Sequence, residues 1–336
     1  MPKAELHLHL DGCLRPVTAI ELARQQGIEA PTTFESMFHA LVGPAKCSSQ
    51  TELLLRFDLP LQLLQTADAL ARVTAELVED KAADGVRFME VKWAPQFHCK
   101  QGLTIDDVMR VVGTAAVEAG ARHGVEVRLC VAAVRAEAPE ATVALAHAAV
   151  ANRRYGVTGF DLVGYEAANP DPTPHLPAFE VARAGGLGTC VHAGELPDAD
   201  LVRRALVLRT DRISHGAPAI DAPDVMAHLA QHGITLDLCP TSNVQADTVA
   251  TFADHPVVRF LRAGVPVTIN TDDITVSDIS LSEEWLSCID VLGLTLPELW
   301  ACNLHALRVA FVDEPTRARL LAEFSEWATS VPEVAA

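Results

Sequence analysis

Aromatic residues make up only 5% of this 336-residue chain, and Tyr occurs twice, so Leu, Val and Ala must do most of the packing. Basic side chains are also scarce: 26 Lys and Arg face 44 Asp and Glu, for a formal net charge of -18. A surface of that sign repels phosphate backbones and anionic bilayers, which removes nucleic acid and membranes from the expected partners. A small molecule, neutral or locally compensated, fits better. None of the eight cysteines (Cys13, Cys47, Cys99, Cys130, Cys190, Cys239, Cys288, Cys302) forms a Cys-x-x-Cys pair, and most lie in apolar runs. This is neither a structural zinc pattern nor a secreted disulfide framework, and reduced buried thiols are expected. No basic stretch with an apolar run behind it precedes the first strand, and no apolar run is long enough to span a bilayer. The expected location is the cytoplasm.

What is present is a steady alternation. Ala4-Glu5-Leu6-His7-Leu8-His9-Leu10 alternates polar and apolar residues with a period of two, as a strand does. A helix is expected from Pro16 to about Gln26, closed by Gly27, and short amphipathic helices over 31–62. Further helices are expected near 64–84, 104–123, 139–154, 176–184, 198–209, 222–232 and 254–263, with helical material from about 282 to 328. Between them lie apolar strands at 86–93, 126–131, 159–164, 187–192, 212–215, 234–238 and 265–270. Eight strands, each followed by helical material, predict an α/β fold: a (β/α)8 TIM-type barrel with a helical lid at 31–62 and extra C-terminal helices. No linker or repeat divides the chain, so residues 1–336 read as one domain. No Gly-x-Gly-x-x-Gly follows an early strand, which weighs against an open dinucleotide-binding sheet; Gly185-Gly186-x-Gly188 precedes a strand instead.

In such barrels the chemistry gathers at the carboxyl ends of the strands. His7 and His9 end strand one and leave the same face, His192 ends strand five and His215 ends strand six. Asp272-Asp273 follows strand eight. Three imidazoles and one carboxylate make a Zn²⁺ site with room for water. Glu195, three residues beyond His192, has two readings: a shielded general acid, or a charge complementing the helix that begins near Pro197-Asp198. The other histidines, including His39, His123, His228, His232 and His305, read as solvated surface groups.

His-x-His-x-Asp-Gly at residues 7–12, His192-Ala-Gly-Glu195, Ser214-His215-Gly216, Cys239-Pro240-Thr241-Ser242-Asn243 and Asn270-Thr271-Asp272-Asp273 occur in that order. Together they resemble the adenosine deaminase family of the amidohydrolase superfamily, over residues 4 to about 284. The resemblance implies a cytoplasmic, zinc-dependent hydrolase of purine metabolism that deaminates a 6-aminopurine nucleoside at C6. It implies one Zn²⁺ per chain on His7, His9, His192 and Asp272. Glu195 would protonate N1, and His215 would orient and deprotonate the water. Asp273 would bond N7, the Gly164 amide N3 and Asp11 the 5′ side of the sugar, with His9 also facing the substrate.

The adenine-specific branch carries Glu in the place of Asp11 and the N6-modified nucleotide branch Asn, so Asp11 favours a nucleoside. A related branch deaminates aminodeoxyfutalosine, whose benzoate would want a cation; Lys46, Arg56 and Lys100 are the candidates, although all three read first as solvated surface charges. Ile274, Tyr165-Glu166 and Cys13 depart from the commonest family pattern and are expected to reshape the pocket near purine or sugar. A phosphoester- or lactam-cutting metallohydrolase would use two metals, often bridged by a Lys after strand four, which Leu162-Val163-Gly164 lacks. A silent nucleoside sensor would not need Glu195. The His-x-Glu and Pro-Cys-x-x-Cys signature of zinc pyrimidine deaminases is absent.

Overall fold

The computed structural model describes residues 1–334. Eight parallel strands follow one another around a single sheet in chain order. They are β1 (Lys3–His9), β2 (Val86–Trp93), β3 (Glu126–Val134), β4 (Val157–Val163), β5 (Gly188–Ala193), β6 (Arg212–His215), β7 (Thr235–Leu238) and β8 (Val267–Ile269). The His9 amide donates to the Asp272 carbonyl at 2.8 Å, and the Asp272 amide to the His7 carbonyl at 3.1 Å. These bonds join β1 to the chain leaving β8 and close the expected (β/α)8 barrel.

The local signals explain most of the elements. Helix Pro16–Gln26 starts on a proline, which needs no amide partner there, and ends at Gly27 in the left-handed region. Residues 31–62 supply helices Phe34–Leu41, Gln50–Leu54 and Asp58–Leu63. The C-terminal stretch forms Leu281–Asp290, Leu296–Val309 and Glu314–Thr329, and Ala4 and Leu6 of β1 pack outward against Trp300, Leu307 and Phe324 from the last two. Among the described residues no helix is long and apolar enough to cross a membrane.

Boundaries differ where tertiary contacts outweigh pattern. β3 runs three residues further than expected, while β8 is shorter. Helix Ala67–Ala83 begins late because Thr66 caps it, its side chain accepting from the Ala69 amide. Helices also stop early, at Ala151 and Ala205, and tighten into single 3₁₀ turns. Helix Pro240–Gln245, directly after β7, was not foreseen. Its six residues make under two turns, too few for a period to show.

The barrel interior is charged rather than apolar. Glu5, Glu90, Lys92, Asp161, Arg212 and Asp237 are each at most 1% exposed. Lys92 Nζ lies 2.6 Å from Asp161, and Lys81 Nζ 2.6 Å from Glu5. Arg212 pairs with Glu90, reaches Asp237 at 2.9 Å, and stacks 3.8 Å from the centre of the Phe311 ring. Removing one partner of such a network strands the others without water. Arg212→Ala should therefore cost about 3–5 kcal/mol in urea unfolding; a loss under about 1 kcal/mol would mean that Glu90 and Asp237 find other partners or protonate.

Candidate active site at the carboxyl ends of the strands

The period of two in β1 turns His7 and His9 into the barrel together, and β5 and the segment after β8 bring His192 and Asp272 against them. Nε2 of His7 lies 3.2 Å from Nε2 of His9, which lies 3.0 Å from Nε2 of His192. Asp272 Oδ1 is 3.0 Å from His7 Nε2 and 3.3 Å from His9 Nε2. Four donors about 2 Å from a tetrahedral centre stand ~3.3 Å apart, so this set has the spacing that zinc requires. Converging imidazole lone pairs repel one another unless a cation or a shared proton lies between them. Burial pushes the pKa of His7 and His192 down, and that of His9 down to about 4, which leaves the rings neutral as ligands must be. Burial by itself would raise Asp272, but His7, His215 and His9 hold it well below the usual carboxylate range.

The groups behind these side chains fix their orientation. Asp161 Oδ2 sits 3.1 Å from His192 Nδ1, so that nitrogen keeps its proton and Nε2 offers a lone pair. Ser242 Oγ donates to Asp272 Oδ2 at 2.7 Å, leaving Oδ1 to the histidines. Asp272 and His215 both adopt left-handed backbone, with φ of 67° and 66°. Such conformations cost non-glycine residues about 1–3 kcal/mol and persist where the surroundings over-determine them.

His215 Nε2 is 3.8 Å from Glu195 Oε1 and 3.9 Å from Asp272 Oδ2. Asn243 bridges His215 Nδ1 and His255 Nε2, each at 3.1 Å. Burial pushes the Glu195 pKa well up, Glu166 and Asp272 push it further, and Arg135 opposes them. Burial also drives Asp273 well up, aided by Asp272, Asp11 and Glu195. Gly12 is required beside it, because a Cβ there would fall 1.7 Å from Asp273 Oδ1.

These groups share one cavity of about 270 Å³. His9, Asp11, Gly164, His192, Glu195, His215, Asp272 and Asp273 face it from the barrel, while Leu53, Leu54, Phe57 and Leu61 cover it from the expected lid segment. Gly164 has φ of 111°, which would strain any other residue there. Every site residue expected from sequence except His7, which is buried beneath His9, lines this space. Among the described residues no Lys or Arg lines it. Lys46 instead pairs with Asp247 at 2.8 Å, Arg56 donates to the His39 carbonyl at 3.1 Å, and Lys100 lies outside. Of the departures, Cys13 and Ile274 stay out of the lining and Tyr165 is 38% exposed. A wider groove of about 1250 Å³ opens at the opposite, amino-terminal ends of the strands, away from this cluster.

The solvated-surface expectation fails for four histidines. His98, His175 and His255 are buried, and His305 is half-buried against Thr235 Oγ1 at 2.9 Å. His98 matters most to the cavity. Its Nδ1 lies 2.8 Å from the Leu64 carbonyl and its Nε2 3.0 Å from Asp11 Oδ1. Both neighbours are acceptors, so His98 needs both ring protons; burial opposes this, but Asp11 and the hydrogen bonds raise its pKa. Its place just after β2, in Pro95-Gln96-Phe97-His98, was the available signal. Asp161 and Lys92 were also missed, although each is a charge inside an apolar strand, and Glu166 stood out only as a departure from the family pattern, with no sign of its partners.

Fold and site together define a barrel hydrolase of the amidohydrolase type, with its donor cluster and the Glu195 carboxyl in one pocket. The family model described as "Adenosine deaminase" matches residues 2–327. An adenosine deaminase of Mycobacteroides abscessus is 39% identical over 339 residues, covering 95% of this chain and 93% of its own. The crystal structure of an adenine deaminase from Arthrobacter aurescens superposes with a TM-score of 0.89 at 28% identity, covering 98% and 99% of the two chains. A zinc-bound amidohydrolase from Burkholderia ambifaria does so at 0.87 and 28%, covering 98% and 92%. The chain belongs to the adenosine deaminase family, and it is a hydrolase that deaminates adenosine-like substrates.

Proposed function

We propose that this chain binds one Zn²⁺ through His7, His9, His192 and Asp272 and deaminates a purine nucleoside whose 5′ end carries no charge. The observation that carries this reading is the composition of the cavity. A donor cluster with zinc spacing and a carboxyl driven toward its protonated form share one space, and among the described residues no Lys or Arg lines it. When bound, zinc supplies the Lewis acidity that makes water nucleophilic near pH 7.

The residues around it divide the remaining work. Glu195 delivers a proton to N1, which draws electron density from C6. His215 orients the attacking water and takes up its proton. His215 then passes that proton to the amino group as the C6–amino bond breaks, so that it leaves as ammonia; the remaining hydroxyl proton returns to Glu195, and the ring keeps oxygen at C6. Asp273, held protonated, donates to N7, and the Gly164 amide donates to N3. His9 borders the substrate on the metal side. Asp11, paired with His98, accepts from the sugar's 5′ hydroxyl. Beyond it lie Leu53, Leu54, Phe57 and Leu61, which offer a benzoate or a phosphate no counter-ion.

A panel of adenosine, neutral 5′-modified adenosines, aminodeoxyfutalosine and adenine, read by absorbance and ammonia release, tests this. Turnover should be fastest on a neutral nucleoside. A preference for aminodeoxyfutalosine would overturn the neutral 5′ end, a preference for adenine would overturn sugar reading, and no deamination at all would overturn the function. Asp11→Ala should lower kcat/KM for nucleosides by about 10–100-fold, the worth of a hydrogen bond to a charged group. Adenine should lose far less; equal losses would mean that Asp11 does not read the sugar.

A further inference from the structure

Glu166 has no part in the chemistry above, yet only 1% of it is exposed and it sits directly behind Glu195. Its Oε2 accepts the Glu195 amide at 2.9 Å. Its Oε1 lies 3.3 Å from Nη2 of Arg135, the residue that follows β3, itself 4% exposed. The same guanidinium nitrogen donates to the His192 carbonyl, and Nη1 reaches the Asn169 carbonyl at 3.3 Å.

The reason for this arrangement lies in the sheet. β4 and β5 pair only at Gly159–Gly188 and Phe160–Thr189, then part. The parting leaves the His192 carbonyl without a strand partner, and Arg135 fills the place. Arg135 therefore holds one end of the His192–Glu195 turn directly and the other through Glu166. Thr248 Oγ1 donates to the Glu195 carbonyl, so both backbone polar groups of Glu195 are tied while its side chain faces the cavity.

A buried carboxylate beside a second carboxyl is a poor device for stability, because burial penalises both charges and each repels the other. Among the described residues one arginine, Arg135, serves the two groups. Bonded to Glu166, its charge is compensated; without Glu166 it would face Glu195 alone.

We propose that Glu166 is the positioning residue of Glu195: with Arg135 it fixes the backbone that carries the acid and keeps that arginine from drawing off the acid's proton. This rests on the reading of Glu195 as the proton donor. In agreement, burial raises both carboxyls, Glu195 the more strongly, and Arg135 opposes the rise at each.

Three variants separate position from charge. Glu166→Gln keeps size and an acceptor oxygen but removes the charge, so Arg135 should favour ionised Glu195. The alkaline limb of the kcat–pH profile should then move to lower pH. Adding Arg135→Gln removes the opposing charge as well, and the limb should move back. Glu166→Ala frees the turn and should lower kcat on the order of 100-fold, as a 1 Å misplacement does, with little change in KM and with metal content unchanged. A limb that stays at the wild-type pH in Glu166→Gln, or fails to return in the double variant, overturns the proposal, and neither reading needs the alanine variant to fold. Glu195→Gln in parallel distinguishes the failures: if it turns over normally, the acid reading falls, whereas if it is inactive and Glu166→Gln matches wild type, only the positioning role falls.

Discussion

Glu195→Gln is expected to lower kcat by about 10²–10⁴-fold, the usual contribution of a general acid, while zinc stays at one per chain. The substitution tests the proton and little else. Burial already favours the neutral carboxyl at this site, so exchanging it for a neutral amide of the same shape changes neither net charge nor packing. Gln still donates a hydrogen bond to N1 but has no proton to transfer. The lost rate corresponds to about 3–5 kcal/mol of transition-state stabilisation. The pH dependence supplies a second check. The acid form of Glu195 is lost as pH rises through its elevated pKa, so wild-type kcat should fall there, while the residual rate of the variant should not follow that limb. Near-normal turnover with intact metal would remove Glu195 from the role.

Stripping the metal with a chelator at pH 7 should abolish turnover and lower Tm, and stoichiometric zinc should restore both. His7, His192 and Asp272 are buried, and His9 nearly so, with their donor atoms converging. Losing a ligand present at about 1,000 times its Kd removes about 4 kcal/mol, or roughly 5–10 °C in a chain of this size. Acid should act in the same direction. His9 is held down to about 4 by burial, against an ordinary value near 6.5. Between those values the unfolded chain takes a proton that the folded chain refuses, so stability falls as pH drops through that window. Metal affinity falls with it, because protonated imidazole cannot ligate. Undiminished turnover in metal-free protein, with the removal verified by metal analysis, would overturn the zinc-dependent mechanism.

Much of the site was legible because its placement is local. A period of two puts His7 and His9 on one face whatever surrounds them, and the apolar runs before His192, His215 and Asp272 mark strand ends where charge is costly. Helix Pro16–Gln26 could be read to its last residue from its proline and its glycine. The residues that escaped lack such a local sign, or bear one that names no partner. His98 follows a strand end too, but nothing nearby says that its ring will meet Asp11. Glu166 reads as a loop residue until the parting of β4 and β5 places it under Glu195. Lys46 and Arg56 sit in the lid, where sequence reads them as surface charges and allows a rim cation; only the fold shows their side chains turned to Asp247 and to the His39 carbonyl.

By itself, then, the sequence determined the eightfold alternation, the donors at the strand ends and the family to which their order points. Both strand periodicity and capping are properties of a few consecutive residues, and they survive any arrangement of the rest. Only the tertiary structure decided which charges are compensated: Asp161 behind His192, Arg135 between Glu166 and the turn that carries Glu195, and, among the described residues, no Lys or Arg lining the cavity. Those pairings join groups 31 to 57 residues apart. A buried charge takes its partner from whatever barrel closure brings within about 3 Å, and that distance is fixed by strand neighbours and loop depth, which no local pattern encodes.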